Sequence, residues 1–522
     1  MPNTYIGLTI GPIFDTLNLA STPAALWAGS YMFSTLTKTI CDQLVTNHDI
    51  PKENIISPYY DPDEPLLNRK DGVGLFHDRV IFRVDEAHPF SEDQISSLRT
   101  DAIKIIADKF MVSKDYLNEY IMVSGCRFES DNAILGSAVR LDSLELAKPY
   151  VCEDKSNALL SMLVNDGSEH ANEQIKKLPI VEELDNWQLL NNKKAIRSLP
   201  DIASRDVPEK EQTMKKQTYY AIVRSDGDRM GSILQKLSSD EEVRKYSKTC
   251  LQFCSQIAEI VSNYGGITIY SGGDDLLALL PLENPSYKEA PDLFAFLKKA
   301  ATLFGNSFRA LFTELNADHN KARFDLEKDL PTLSFGVSVC YHKFPLYEAL
   351  ADSGYLLFGI AKNREKDPER RNCTAIRFQK HAGQSEGLLI QNTALDSLID
   401  LKQKIDAGVT DDSTVFLSAL HKLSLFDTFY AAAENNTDVD NLFNNFFDAD
   451  SHSENAFLKK ALPGIFKELR VSKEIDLLPD YRTEFLKEAG LPADCSAPLP
   501  VQVLCYLLRI FKFYKERIGE KS

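Results

Sequence analysis

The sequence predicts an α+β protein in which two ferredoxin-like β-α-β-β-α-β units are joined by a helical stretch and followed by a helical tail. Three observations lead to that fold class. A short apolar run, Tyr219–Val223, precedes a stretch of helical period, and two further apolar runs then flank a glycine-containing turn. The same order of signals recurs more loosely between Tyr5 and Phe128. From about Gly387 onward the pattern is helical, broken at Asp406–Ser413 and Asn435–Asp440.

In chain order, Tyr5–Ile10 reads as a strand. Pro23–Leu44 reads as a helix whose apolar face includes Leu26, Trp27, Tyr31, Phe33 and Ile40. Arg79–Val84 is a strand, Gln94–Phe110 a helix and Tyr120–Phe128 a strand. Together these define a first unit at residues 1–150, although internal identity with the second is too low to establish a repeat. Residues 151–217 carry helical patches and end in a charged stretch, Arg205–Glu211, which reads as a solvated linker. In the second unit, residues 218–385, a helix with apolar residues from Val243 to Val261 stops at Asn263-Tyr264-Gly265-Gly266. Ile267–Tyr270 and Leu276–Leu282 form a hairpin signature around a five-residue turn. A helix over Asp292–Leu315, a strand over Leu333–Cys340, a helix over Leu346–Lys362 and a strand over Thr374–Gln379 complete it. Residues 386–522 form the helical tail. Its last helix carries Arg509, Lys512, Lys515 and Arg517 beside Leu508, Phe511 and Tyr514, which reads first as a solvated face and second as a surface for a partner or RNA.

Composition bounds the function. A chain of 522 residues suggests three or four domains. The net charge of −17 argues against a free-standing nucleic-acid binder, whose affinity comes from phosphate contacts, so such contact is expected to be local or shared with partner subunits. Nine dispersed cysteines with no C-x-x-C fit reduced thiols in the cytoplasm. Cys250 and Cys254, one helical turn apart, read as core residues rather than a zinc site. The N-terminus lacks the features of a signal peptide, and no apolar run reaches the ~18 residues needed to span a bilayer.

The chemistry concentrates at Asp226 and at Ser271-Gly272-Gly273-Asp274-Asp275, 48 residues on from Asp226 to Asp274. Nucleotidyl transfer needs charge neutralised on the attacked phosphate and on the leaving pyrophosphate, and divalent cations held by a few carboxylates do this. One carboxylate at the end of a strand and two on the tip of a neighbouring hairpin supply such ligands. Asp226, Asp274 and Asp275 are therefore the candidate catalytic and metal-binding residues, with the backbone of Gly227 as a further ligand. Gly272 and Gly273 permit a tight turn of positive φ and close approach of a nucleotide. Gly227-Asp228-Arg229-Met230-Gly231, together with Ser271, Gly272 and Gly273, are expected to line the nucleotide, the triphosphate resting on the helix that follows. Asp228 reads equally as a cap or as an extra ligand. Lys362 and Arg364 are candidates to neutralise the γ-phosphate, although cations also suit a helix C-terminus.

On these residues the chain resembles the large polymerase-like subunit of type III CRISPR effector complexes, a relative of the GGDEF and adenylate cyclase palms. The family's D-G-D-x-M-G stands as Asp226–Gly231 and its G-G-D-D as Gly272–Asp275. A cyclase-like segment follows at Ser334-Phe335-Gly336-Val337-Ser338, His342-Lys343 and Ala361-Lys362. Gly11-Pro12-Ile13 and Leu26-Trp27-Ala28-Gly29-Ser30-Tyr31 are similar to the first palm of the Cmr-type (III-B) subunit. The resemblance implies two palms, Mg²⁺ or Mn²⁺, ATP as substrate, and activation when guide RNA captures a target RNA within a multi-subunit complex. It further implies attack of an acceptor 3′-hydroxyl on the donor α-phosphate, giving cyclic oligoadenylate or, with another acceptor such as S-adenosylmethionine, an AMP adduct. Many members begin with an HD nuclease domain. The first palm here starts near Tyr5, so that domain is expected to be absent, and His77-Asp78 lacks the further ligands of such a centre. Guanine-specific GGDEF cyclases carry Asn where this chain has Leu234, which points toward ATP.

Overall fold

The computed structural model describes residues 3–147, 153–164, 174–191, 194–317, 322–363, 371–381, 383, 385–408, 414–424, 438–446, 455–471, 474–490, 492–493, 495 and 499–518. The expected Arg364 and most of the two polar breaks in the tail lie outside them.

Two sheets organise the chain. The first contains β1 (Asn3–Gly11), β2 (Ile55–Ser57), β3 (Arg79–Val84) and β4 (Met122–Ser130) in the order β2-β3-β1-β4. β1 is central and antiparallel to both neighbours, with Gly7 opposite Ile81 on one side and Cys126 on the other. Helices Pro23–Thr46 and Asp93–Phe110 cover one face. Thr22 caps the first through its side chain, with proline at the first helical position, so the helix starts where backbone N–H groups would otherwise lack partners. The three-residue β2 was not expected. Its run is too short and too close to Pro51 and Pro58 to give a strand period.

The second sheet contains β5 (Tyr219–Asp228), β6 (Ile267–Gly272), β7 (Asp275–Pro281), β8 (Thr332–Tyr341), β9 (Cys373–Gln379), β10 (Ser385–Gln391) and β11 (Ile475–Leu477) in the order β11-β10-β9-β8-β5-β7-β6. Its part β8-β5-β7-β6 repeats the order of the first sheet, so both units are ferredoxin-like. Helices Asp240–Tyr264 and Leu293–Ala317 pack on this sheet through Tyr246, Cys250, Phe253, Cys254, Ile257, Phe304 and Phe308, all buried. Gly265, at φ 91°, ends the first helix in the left-handed conformation that its sequence signal required.

Two expectations are corrected here. The chain does not turn helical at Gly387: β10 and β11 extend the sheet beyond β9, because β9 would otherwise leave a row of backbone groups unpaired at an edge. The helix expected over Leu346–Lys362 is α-helical only over Leu346–Gly354 and continues as a π-helical turn over Tyr355–Ala361. That turn lies against Gly336 of β8, where a Cβ would run into the Ser353 carbonyl and the Leu357 amide.

The tail packs back on the second unit. Helix Pro500–Lys515 is largely buried, and its Lys512 and Lys515 pair with Glu516 and Asp406. These two lysines are internal anchors rather than a solvated or RNA-facing surface, whereas Arg509 is exposed. Most of the charged linker is solvated, but Asp206 pairs with the buried Arg197, and Lys215 pairs with Glu516.

The two units interlock. Ser30 Oγ donates to the Ile269 carbonyl at 2.7 Å, the Ser271 amide to the Gly74 carbonyl at 3.2 Å and the Tyr5 hydroxyl to Asp240 at 2.5 Å. The tip of the β6–β7 hairpin is thereby held against residues 74–79 of the first unit.

Candidate active site

β5 is the central strand of its unit, so the groups at its end are framed by a neighbour on either side. β5 pairs β7 from Tyr220 opposite Pro281 to Ser225 opposite Leu276, and it pairs β8 down to Asp228 opposite Thr332. This register brings the β6–β7 tip next to Asp226–Asp228. The Gly227 amide donates to Asp274 Oδ2 at 3.1 Å. A separation of 47 residues in sequence thus closes to one hydrogen bond.

The hairpin is tighter than expected. Only Gly273 and Asp274 separate β6 from β7, and only Gly273 has positive φ, at 68°. Gly272 serves another purpose: a Cβ there would press on the Tyr270 ring. Cys254 donates its thiol to the Gly273 carbonyl at 3.3 Å, so the Cys250–Cys254 face of the helix underlies the turn. Gly227 has a similar constraint, since a Cβ would lie 2.6 Å from Asp274 Oδ2 and 3.0 Å from Met230 Cγ. Gly227→Ala is expected to push Asp274 aside. Transfer should fall about tenfold or more while the thermal midpoint changes little, a split read by steady-state kinetics beside differential scanning fluorimetry.

Asp228 is neither a cap nor an open ligand. It is buried, and its Oδ2 accepts from Thr332 Oγ1 at 2.8 Å, Ser334 Oγ at 2.8 Å and the Asn372 amide at 2.9 Å. It ties the ends of β5, β8 and β9 together. Lys362, directly after the π-helical turn, pairs with Asp226, donates to the Gly227 carbonyl at 2.8 Å and stands 3.7 Å from Asp228 Oδ1. Arg229 turns away and donates to the Lys328 carbonyl at 2.7 Å. The helix expected after Asp226 is only Met230–Leu234, and the long helix begins at Asp240 behind the Ser239 cap. Gly231 lies in the short helix, with open space around it, and Ser271 is buried.

Asp275 is directed differently from Asp274. It lines two cavities together with Asp78 of the first unit. One, of about 100 Å³, is walled by Ile13, Phe14, Leu17, Leu357 and Phe358, with Arg224 and Ser225 at its polar end. The other, of about 320 Å³, runs between the units past His77, Arg79, Tyr246 and Cys250. Sequence reasoning missed Asp78 and Arg224 as site neighbours. Asp78 directly precedes β3, whereas Arg224 lies inside β5, where the apolar run Tyr219–Val223 had ended. His77 bonds Ser57 Oγ at 3.2 Å and takes the Arg79 amide on Nδ1 at 3.3 Å, and burial, aided by Arg79, lowers its pKa to about 4.

The electrostatics follow from crowding. Burial pushes the Asp274 carboxyl up to about 6, with repulsion from Asp228 adding to it. Burial, then repulsion from Asp274 and Asp78, pushes Asp275 well upward, and Arg224 opposes the shift. Carboxylates held close together with too little positive charge fit a divalent cation. Among the described residues no group of three or more His, Cys, Asp or Glu could hold a metal ion unaided. Mg²⁺ commonly takes one or two protein carboxylates and completes its shell with phosphate and water, so Asp226, Asp274 and the Gly227 carbonyl are the groups that would hold it. The folded-state value of Asp274 lies above the ordinary 3.8, so its ionisation opposes folding as pH rises through about 6. In cation-free protein, the thermal midpoint of wild type relative to Asp274→Asn is expected to fall between pH 4.5 and 6.5. Added Mg²⁺ should raise the wild-type midpoint more at pH 7 than at pH 5. Equal increments at both pH values would refute this.

Two family models match the chain: "Cas10/Cmr2, second palm domain" over residues 219–370, and "CRISPR-associated protein Cmr2, N-terminal" over residues 5–110. The CRISPR system Cmr subunit Cmr2 of Pyrococcus furiosus is 27% identical over 192 residues, covering 32% of this chain and 19% of the relative. The chain thus matches about a fifth of that protein's length. Two solved structures share the fold. The Csm1–Csm4 cassette in complex with cA4 aligns with a TM-score of 0.51 at 12% identity, over 99% of this chain and 70% of that one. The type III-B Cmr-β assembly bound to cognate target RNA aligns with 0.52 at 11% identity, over 98% and 83%. Residues 5–110 thus match the N-terminal region of Cmr2 and residues 219–370 the second palm domain of Cas10/Cmr2, and the two matches together indicate a Cmr-type Cas10 subunit.

Proposed function

We propose that the chain is the nucleotidyltransferase subunit of an RNA-guided type III antiviral complex, and that it converts ATP into cyclic oligoadenylate when target RNA is bound. The single observation that carries this reading is the hydrogen bond from the Gly227 amide to Asp274, which joins the strand end bearing Asp226 to the Gly-Gly-Asp-Asp tip. A divalent cation, Mg²⁺ or Mn²⁺, held by Asp226, Asp274 and the Gly227 carbonyl would neutralise the phosphates of the donor ATP and of the leaving pyrophosphate. Gly227, Asp228, Met230, Gly231, Ser271, Gly272 and Gly273 form or support the nucleotide's surroundings, and Lys362 meets its phosphates. The unit at residues 1–150 holds the acceptor and the unit at 218–385 the donor. Residues 151–217 and 386–522 brace them. Partners are the other subunits, guide RNA and target RNA. The chain's net charge of −17 suits RNA contact shared among subunits. Among the described residues no helix is long and apolar enough to cross a membrane, and the cytoplasm, where guide and target RNA meet, is the proposed location.

A second reading, AMP transfer to S-adenosylmethionine or a similar acceptor, is favoured by Asp78. It lines the cleft between the units together with Asp275, close enough for the two carboxylates to repel each other. That wall suits a cationic acceptor better than a second triphosphate. A non-catalytic scaffold has no comparable support, since Asp226, Asp274 and Asp275 are all present. The assembled complex, incubated with target RNA, Mg²⁺ and ATP, with and without S-adenosylmethionine, separates the readings by mass spectrometry. Cyclic oligoadenylate in both mixtures supports the first. An adduct formed only with S-adenosylmethionine supports the second, and no new nucleotide in either refutes both.

A further inference from the structure

We infer that Lys362 is a tethered cation that occupies the divalent ion's seat until nucleotide arrives, so that metal and nucleotide must enter together. The inference rests on the nucleotidyltransferase reading and adds an order of events to it. Three oxygens converge on the Lys362 ammonium: it pairs with the Asp226 carboxylate, donates to the Gly227 carbonyl at 2.8 Å and lies 3.7 Å from Asp228 Oδ1. Carboxylate and carbonyl oxygens are the donors a hard dication takes, and Asp274 adjoins them through the Gly227 amide. An ammonium is a compact charge with three donors, able to satisfy such a set by itself.

The backbone aims Lys362 at this point. Its amide bonds to the Leu357 carbonyl at 2.9 Å, five residues back, which closes the π-helical turn Tyr355–Ala361. The extra residue in that turn rotates position 362 away from the face an α-helix would give it, onto the end of β5. Its side chain is only 12% exposed. An ammonium and a dication a few ångströms apart repel strongly in so enclosed a place, so the ion gains its ligands only as Lys362 leaves them. An incoming triphosphate offers the ammonium new oxygens, and the ion arriving with it takes the old ones. Binding of metal and of nucleotide is therefore positively coupled through one side chain.

The test measures Mn²⁺ binding to the nucleotide-free full chain by electron paramagnetic resonance. Lys362→Met is expected to tighten Mn²⁺ at least about tenfold, while Lys362→Arg, which keeps the charge, stays near wild type. Circular dichroism and the unfolding midpoint establish that each variant is folded, and Lys362→Gln replaces Lys362→Met if the apolar chain is not tolerated. Unchanged or weaker Mn²⁺ binding in a folded, charge-removed variant would overturn the inference and leave the catalytic reading standing. Adding Asp226→Asn to Lys362→Met should abolish the gain. Retained tight binding in that double variant would put the ion elsewhere and sink the catalytic reading as well.

Discussion

Asp274→Asn is expected to lower RNA-stimulated nucleotidyl transfer by at least about a thousandfold. Two effects add. Asparagine keeps an oxygen to accept from the Gly227 amide, so the hairpin stays docked, but it removes half of the carboxylate pair proposed to hold the ion. The raised pKa of Asp274 also means that its charge is maintained against burial and repulsion, a cost that only a bound cation repays. The variant should be at least as thermally stable as wild type in the absence of Mg²⁺, since asparagine carries no buried charge. Product is read by mass spectrometry of the assembled complex and stability by the unfolding midpoint of the chain. Loss of transfer without loss of stability marks a chemical role. Full transfer by Asp274→Asn would exclude Asp274 from the site.

The second large effect is structural. Asp228→Ala is expected to destabilise the end of the second sheet by about 3–5 kcal/mol. Its Oδ2 takes three donors, from Thr332, Ser334 and the Asn372 amide, and the carboxylate is buried beside Lys362. Alanine leaves those donors without an acceptor where water does not reach. Hydrogen exchange gives the readout, because a chain of this size does not unfold in one step. Amides of Asp226–Asp228 in β5 and Thr332–Ser334 in β8 should exchange faster, and those of β1 and β4 should not. Even acceleration across both sheets would mean that Asp228 supports the fold globally rather than the site.

The contrast between these aspartates shows what one dimension of information can hold. Strand and helix periods, the Gly265 stop and the Gly-Gly-Asp-Asp tip are local signals, so the β-α-β-β-α-β order of the second unit, three of the four strands of the first, and the pairing of Asp226 with the hairpin were legible in the sequence. The three-residue β2 and the late strands β10 and β11 escaped it, since they exist because a sheet edge seeks partners and not because their own period demands a strand. Side-chain direction was likewise beyond its reach. Asp226 and Asp228 differ by two positions, and the sequence left open whether Asp228 is a cap or a further ligand beside Asp226. Only the packed ends of β5, β8 and β9 decided that Asp228 would accept from Thr332, Ser334 and the Asn372 amide, while Asp226, although opposite Ser334 in the register, would pair with Lys362. The repulsion between Asp78 and Asp275 links positions 197 residues apart and is set by how the two units dock through Ser30 and Gly74. Local propensity determines which elements form, and packing between distant elements determines which charges come to face one another.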